Sequence, residues 1–147
     1  MHVDDIEVVA LFRQAMADDD ETAMRQGIEL LLGLSDGRGL SAEQEYAVRH
    51  PEYTMEMPQS NERIRGRDAL RAMQEAFPTP PGVRLRRVHG SGRTWVIEGV
   101  NDYDGVVWNV VLILELDDDG RILRDTRYYG QRSAPPQWRS RWVEPIE

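Results

Sequence analysis

Residues 94–116 read TWVIEGVNDYDGVVWNVVLILEL, and this stretch decides the fold. Two strand-like runs, Thr94–Tyr103 and Val106–Leu116, flank the dipeptide Asp104-Gly105. Asp-Gly between such runs is a strong hairpin signal, because a tight two-residue turn needs positive φ at both central positions. A two-residue loop sets the register. Tyr103 then opposes Val106, Asn101 opposes Trp108, Gly99 opposes Val110, Ile97 opposes Leu112 and Trp95 opposes Leu114. Opposed residues share a side of the sheet. The side holding Trp95, Ile97, Val110, Leu112 and Leu114 is overwhelmingly apolar and is expected to be buried. The other side alternates Val96, Val100, Val107, Val111 and Ile113 with Glu98, Asp102, Asn109 and Glu115. A half-apolar outer face suits a homodimer interface; a partly solvated sheet is the alternative.

Working outward, Val83–His89 and Arg121–Gln131 are further strand-like runs, separated by Gly90-Ser91-Gly92 and Asp119-Gly120. A four-residue loop at 117–120 makes Leu116 oppose Arg121 and Leu112 oppose Asp125. A two-residue loop keeps the same parity, whereas a three-residue loop with a bulge reverses it. On the even-length register Leu123, Asp125, Arg127 and Tyr129 turn inward. An acid, a guanidinium and a phenol then enter an apolar enclosure near Asn101. Burying a charge there is costly unless it is paired. Asp125 and Arg127 therefore either close the core as an internal salt bridge or grip a ligand.

The first half reads helical. Ile6, Val9, Ala10 and Met16 recur at helical spacing after an acidic Asp4-Asp5 start. Asp20 is a candidate cap for a second helix striped by Met24, Ile28, Leu31 and Leu32, which Gly33 and the 35–39 stretch break. Ser41 and Gln44 form a candidate capping box for a short helix towards Tyr46. His50-Pro51 is expected to stop that helix, a short strand to run from Tyr53 to Met57, and a loop from Gln59 to Arg67. A helix from about Asp68 to Phe77, with Leu70, Met73 and Phe77 on one face, should end at Pro78, Pro80, Pro81 and Gly82. Helices followed by an antiparallel meander give an α+β fold, expected as one domain over 1–147.

Composition narrows the function. The chain has 147 residues and net charge -8. An acidic balance argues against nucleic acid and anionic membrane as partners. It has no cysteine, which excludes disulfides and thiolate chemistry, and all 18 basic residues are arginine, which excludes Schiff-base lysines. No apolar run is long enough for a membrane span, and the start lacks the layout of a signal peptide, so a cytoplasmic protein is expected. His50 and His89 sit in no metal-ligand pattern, and no metal site or cofactor is expected. Arg63, Arg65 and Arg67 form either a local cationic patch or, more plainly, partners for nearby acids.

Several segments together resemble the SnoaL-like group of the nuclear transport factor 2-like (NTF2-like) superfamily. They are residues 50–60 (HPEYTMEMPQS), Arg65-Gly66-Arg67-Asp68, Tyr103-Asp104-Gly105, Gly120-Arg121-Ile122, Arg127-Tyr128-Tyr129 and Ala134-Pro135-Pro136-Gln137-Trp138-Arg139. The resemblance spans Tyr46 to Trp142. It implies a cone in which N-terminal helices pack in a curved antiparallel sheet, a pocket at the wide end, and commonly a dimer. It implies no single reaction, because the scaffold hosts many. The water-activating groups of limonene epoxide hydrolase, another member, do not carry over: the matching positions here are Gly99, Asn101 and Arg127. The hydrolase's water-positioning residues match Thr54 and Glu56. Simple alternation buries Tyr53, Met55 and Met57 and leaves Glu56 in water. The resemblance instead turns Glu56 inward, and on that ground Thr54 and Glu56 join the candidate site.

The resulting expectation is a cofactor-free acid–base enzyme of cyclase, isomerase, dehydratase or epoxide-opening type, acting on a lipophilic small molecule. Asp125 or Glu56 would move a proton and Arg127 would stabilise developing negative charge. Thr54, Asn101, Tyr103, Trp108 and Tyr129 would line the substrate site. The alternative is a non-catalytic ligand-binding or dimeric interaction module on the same scaffold.

Overall fold

A computed structural model describes residues 6–34, 39–76 and 81–147. Four helices come in the order α1 (Glu7–Asp18), α2 (Glu21–Leu32), α3 (Ala42–Ala47) and, after two strands, α4 (Arg67–Ala76). The strands are β1 (Arg49–Met57), β2 (Glu62–Arg65), β3 (Gly82–Ser91), β4 (Thr94–Tyr103), β5 (Val106–Leu116) and β6 (Ile122–Gln131). A short 3-10 helix, Gln137–Trp142, follows. The expected helical start at Asp4-Asp5, most of the 35–39 break, Phe77 and Pro78–Pro80 lie outside the described residues.

Local chemistry explains the helix ends. The Asp20 carboxylate accepts the Ala23 N–H at 3.0 Å and caps α2. Ser41 and Gln44 exchange side-chain and backbone bonds, completing the expected capping box at α3. Val8, Val9, Phe12 and Ala15 of α1 and Met24 and Ile28 of α2 are buried, whereas Leu32 is exposed. The Phe12 ring lies so close to Gly27 that a Cβ there would stand 2.6 Å from Cε1. Glycine thus lets α1 and α2 approach one another.

The six strands form one sheet in the order β2-β1-β6-β5-β4-β3. The β3–β6 meander is antiparallel, as expected, but β1 joins β6 in parallel. The sheet is therefore mixed, which corrects the all-antiparallel expectation. The physical reason is connectivity. β1 is followed by its own hairpin partner β2 and by α4, so it reaches β6 through a long crossover and not through a turn.

The Asp104-Gly105 hairpin has the register expected for it, from Tyr103 against Val106 to Trp95 against Leu114. Its two turn residues take φ of 55° and 91°. The β5–β6 pairing keeps the expected parity but slides: Asp125 faces Leu114, and Arg127 faces Leu112. A bulge between Glu115 and Leu116 changes the start of β6. Ile122 consequently fills the core at 1% exposure and Leu123 turns outward, reversing the expectation for Leu123.

Two further boundaries differ. His50-Pro51 lies inside β1 and not at a helix end, because α3 already stops at Ala47. The expected loop from Gln59 to Arg67 contains β2, paired antiparallel with β1. That edge strand is only four residues long and rich in charge, so its periodicity is weak. The core between helices and sheet is built on Phe12, Met24, Ile28, Tyr53, Met55, Trp95, Leu114 and Ile122. Each fully buried large side chain contributes roughly 1.5–3 kcal/mol of apolar transfer energy.

Candidate functional site

The strand register arranges the concave face in rows. The innermost row is Trp95, Leu114, Asp125 and Met55, running across four strands. The next is Ile97, Leu112 and Arg127, then Gly99, Val110 and Tyr129, then Asn101, Trp108 and Gln131. Burial falls along these rows: Trp95, Leu114, Asp125 and Met55 are closed off, whereas Leu112, Val110 and Trp108 are only half-buried. The helices plug the inner end and leave the outer end open.

Asp125 stands where the plug stops, at 1% exposure. Its carboxylate is held from two sides. The Tyr53 hydroxyl donates to Oδ2 at 2.6 Å. Arg127 donates from Nε to Oδ1 at 2.9 Å and from Nη2 to Oδ2 at 3.3 Å. This is a bidentate charge-assisted pair, the geometry in which a buried carboxylate is best compensated. Burial, reinforced by the negative Asp125, pushes the Tyr53 phenol well above the usual tyrosine range, so it stays a neutral donor. Burial works against the charge on Arg127, but Asp125 and the neighbouring tyrosines outweigh it and raise its pKa further. Arg127 is thus a fixed cation with 27% of its side chain exposed.

That exposed part faces a cavity of about 900 Å³. Tyr103, Arg127 and Tyr129 form its sheet wall; Glu45, Tyr46, Arg49, Arg67, Leu70 and Arg71 come from α3, β1 and α4. Contacts order the second wall. The Arg49 guanidinium lies 5.5 Å from the centre of the Tyr53 ring, and its Nη1 donates to the Glu45 carbonyl at 2.8 Å. A shallower recess of about 360 Å³, lined by Gln59, Tyr103, Trp108 and Tyr129, adjoins the cavity through the shared tyrosines. The Gln59 side chain fixes this edge by accepting the Tyr129 N–H at 3.0 Å.

The structure brings Asp125, Arg127, Tyr103 and Tyr129 together and puts Trp108 in the adjoining recess. Asn101 lies on the same face, and its Nδ2 donates to the Tyr103 hydroxyl at 3.5 Å. Thr54 and Glu56 are elsewhere. Thr54 pairs with Arg65 and Arg124, and Glu56 with Arg63 and Thr126, on the convex side. Glu56 accepts two bonds from Arg63, the shorter 2.8 Å, and these hold its carboxyl below the usual range. The inward orientation expected from the resemblance is therefore corrected: plain period-two alternation governs β1, because Tyr53 and Met55 fill the core.

Glu45, Tyr46, Arg49, Arg67 and Arg71 are not among the site residues expected from the sequence, where Arg67 stands in a local patch and in a segment that carries the family resemblance. One signal was present. Arg67, Leu70, Arg71 and Gln74 recur at helical spacing, marking one face of α4. Arginines on that face read as solvent-facing until the cavity beneath them is known. Among the described residues no group of three His, Asp or Glu side chains is placed to hold a metal ion. No described helix is long and apolar enough to cross a membrane.

No protein-family model and no curated protein matches this sequence. Solved structures do match. An NTF2-like protein of unknown function from Burkholderia xenovorans LB400 is 28% identical, with 96% of this chain and 94% of that one covered at a TM-score of 0.65. A protein from Kribbella flavida DSM 17836, provisionally described as a ketosteroid isomerase, is 22% identical over 96% of this chain and 90% of that one, with a TM-score of 0.67. A protein from Shewanella denitrificans OS-217, provisionally described as a SnoaL-like polyketide cyclase, is 9% identical over 72% and 88%, with a TM-score of 0.57. The chain has an α+β, cone-shaped NTF2-like fold, with NTF2-like and SnoaL-like proteins among its structural neighbours.

Proposed function

We propose that this NTF2-like protein is an acid–base enzyme of isomerase or cyclase type, acting on a lipophilic small molecule in the 900 Å³ cavity. One observation carries the proposal: a guanidinium, Arg127, is locked by a buried carboxylate and faces that cavity. A cation so held needs no reorganisation when negative charge develops on a substrate oxygen, which is the condition for electrostatic catalysis. Asp125 is then a positioning residue. Both its oxygens are engaged by Arg127 and Tyr53, so it is poorly placed to take a proton.

Glu45 takes over that role. It lines the cavity, and its side chain is 33% exposed. In an enolisation the Glu45 carboxylate accepts a proton from the carbon beside a carbonyl. The C–H electron pair moves into a C=C bond, and the carbonyl pair moves to oxygen opposite Arg127. Return of the proton at another carbon completes an isomerisation; attack of the enolate on a second carbonyl carbon moves that C=O pair to its oxygen, which takes the proton back from Glu45 and completes a cyclisation. Leu70, Met73, Tyr103 and Tyr129 supply apolar and aromatic walls for the substrate body.

The test is deuterium uptake from D2O into cyclic ketones and aryl β-keto esters, followed by NMR. Wild-type protein should accelerate exchange over buffer, and Glu45→Gln should lower the rate by about 10²–10⁴-fold. An undiminished rate in Glu45→Gln removes Glu45 as the base. A second reading, ligand binding without turnover, is favoured by the occupied state of Asp125 and the outward position of Glu56. Ligand binding with no exchange in any substrate would select it.

A further inference from the structure

We infer that the cavity's ligand is an apolar organic acid whose carboxylate is received by Arg49 and Arg67; this rests on reading the cavity as a small-molecule site. The chain as a whole carries a net charge of -8, yet four arginines and only two glutamates line the cavity. An acidic protein has thus gathered an excess of positive charge at one place.

The four guanidiniums differ in how they are satisfied. Arg127 is bound to Asp125, and Arg71 reaches Glu75 at 3.3 Å. Arg49 is 5% exposed and has Glu45 only at 3.8 Å. Arg67 makes no ion pair among the described residues; its Nη1 donates to the Tyr46 and Arg49 carbonyls at 3.4 and 3.1 Å. Its guanidinium also lies 4.1 Å from the Tyr46 ring centre, which holds the fork in one plane.

The decisive detail is at Nε. In both Arg49 and Arg67 this atom is buried and has no hydrogen-bond acceptor among the described residues. A buried charged donor without an acceptor is costly, and native proteins seldom leave one so. Two incompletely satisfied guanidiniums thus border one cavity, and because neither Nε has surface open to it, a ligand would meet them at their outer nitrogens. A carboxylate has two oxygens and the charge to meet both, with the geometry that guanidinium forks prefer. The apolar lining from Leu70, Met73 and Tyr129 calls for a hydrocarbon body behind that group, which inorganic phosphate lacks.

Titration calorimetry on the full chain tests this with 2-naphthoate, 4-cyclohexylbutanoate and decanoate, each beside its primary amide, and with inorganic phosphate. At least one acid should bind about tenfold or more tightly than its amide, and added salt should weaken the acid alone. Arg67→Gln should remove most of that preference while amide affinity stays within about twofold, and Arg67→Lys should restore only part of it, because lysine lacks the fork. A melting curve on each variant confirms that it is folded. Equal affinity for acid and amide overturns the carboxylate assignment and leaves the small-molecule reading intact. Phosphate binding as tightly as the best acid overturns the organic body. Binding of neither acids nor amides overturns the inference and the small-molecule reading together.

Discussion

Replacing Arg127 by methionine removes the counter-charge of a carboxylate that is 1% exposed. Two of the three side-chain bonds to Asp125 disappear, and only the Tyr53 hydroxyl remains. Stranding one partner of a buried ion pair costs about 3–5 kcal/mol. Because 27% of the Arg127 side chain is exposed, water reaches the gap, and the lower end of that range, about 3 kcal/mol, applies. With a urea m-value of about 2 kcal/mol/M for a chain of this size, the unfolding midpoint should fall by about 1.5 M. The informative partner is the triple variant Tyr53→Phe, Asp125→Leu, Arg127→Met, which replaces the whole polar cluster by apolar groups. Its stability should return to within about 1 kcal/mol of wild type, because buried ion pairs rarely outperform apolar packing. Urea unfolding followed by tryptophan fluorescence measures all three proteins. A loss below about 1 kcal/mol in Arg127→Met, or a triple variant no better than the single, would refute the reasoning. A stable triple variant would mean that the cluster is kept for the cavity it faces and not for the fold.

Tyr53 makes stability sensitive to alkali. Its phenol is pushed well above the ordinary value by burial and by Asp125, so its contribution is whole below about pH 10 and declines as pH rises beyond. Wild-type stability should therefore fall more steeply than that of Tyr53→Phe above about pH 10, by up to ~1.4 kcal/mol per pH unit, in melts between pH 9 and 11. Parallel slopes would contradict this. Gly90→Ala places a methyl carbon 2.4 Å from the Thr94 carbonyl oxygen and 2.7 Å from the Trp95 Cα. Backbone cannot yield as a side chain does, so a loss of about 3 kcal/mol or failure to fold is expected by urea unfolding; an unchanged midpoint would show that β3 can shift. We also propose that a second copy covers the convex face, where Val107, Val111 and Ile113 are only half-buried. Light scattering should then find a dimer that Val111→Asp converts to a folded monomer, and a monomeric wild type would remove the proposal.

How much of the site was legible depended on the range of the forces involved. The 94–116 hairpin was fully readable, since a two-residue turn ties each residue's side to its neighbours. The inward side of Asp125 and Arg127 agrees with the count, but two odd steps cancel to give it: the loop 117–121 is odd in length, and a bulge at Leu123 in β6, which no local signal marks, restores the parity. Glu56 shows the opposite case. Alternation along β1 placed it outside correctly, and a likeness to other proteins drew it inward wrongly, because Arg63 on an unforeseen edge strand gave it a partner on the convex side.

What the residue order determined by itself is therefore local: caps, turn geometry and the parity that buries one acid and one guanidinium. Tertiary structure alone decided which distant elements meet. The parallel docking of β1 on β6 brings Tyr53 to Asp125 across 72 residues. The packing of α3 and α4 against β1 brings Glu45, Arg49 and Arg67 to a shared cavity. Such meetings depend on the summed burial of many apolar groups and not on any short pattern, so no window of sequence encodes them.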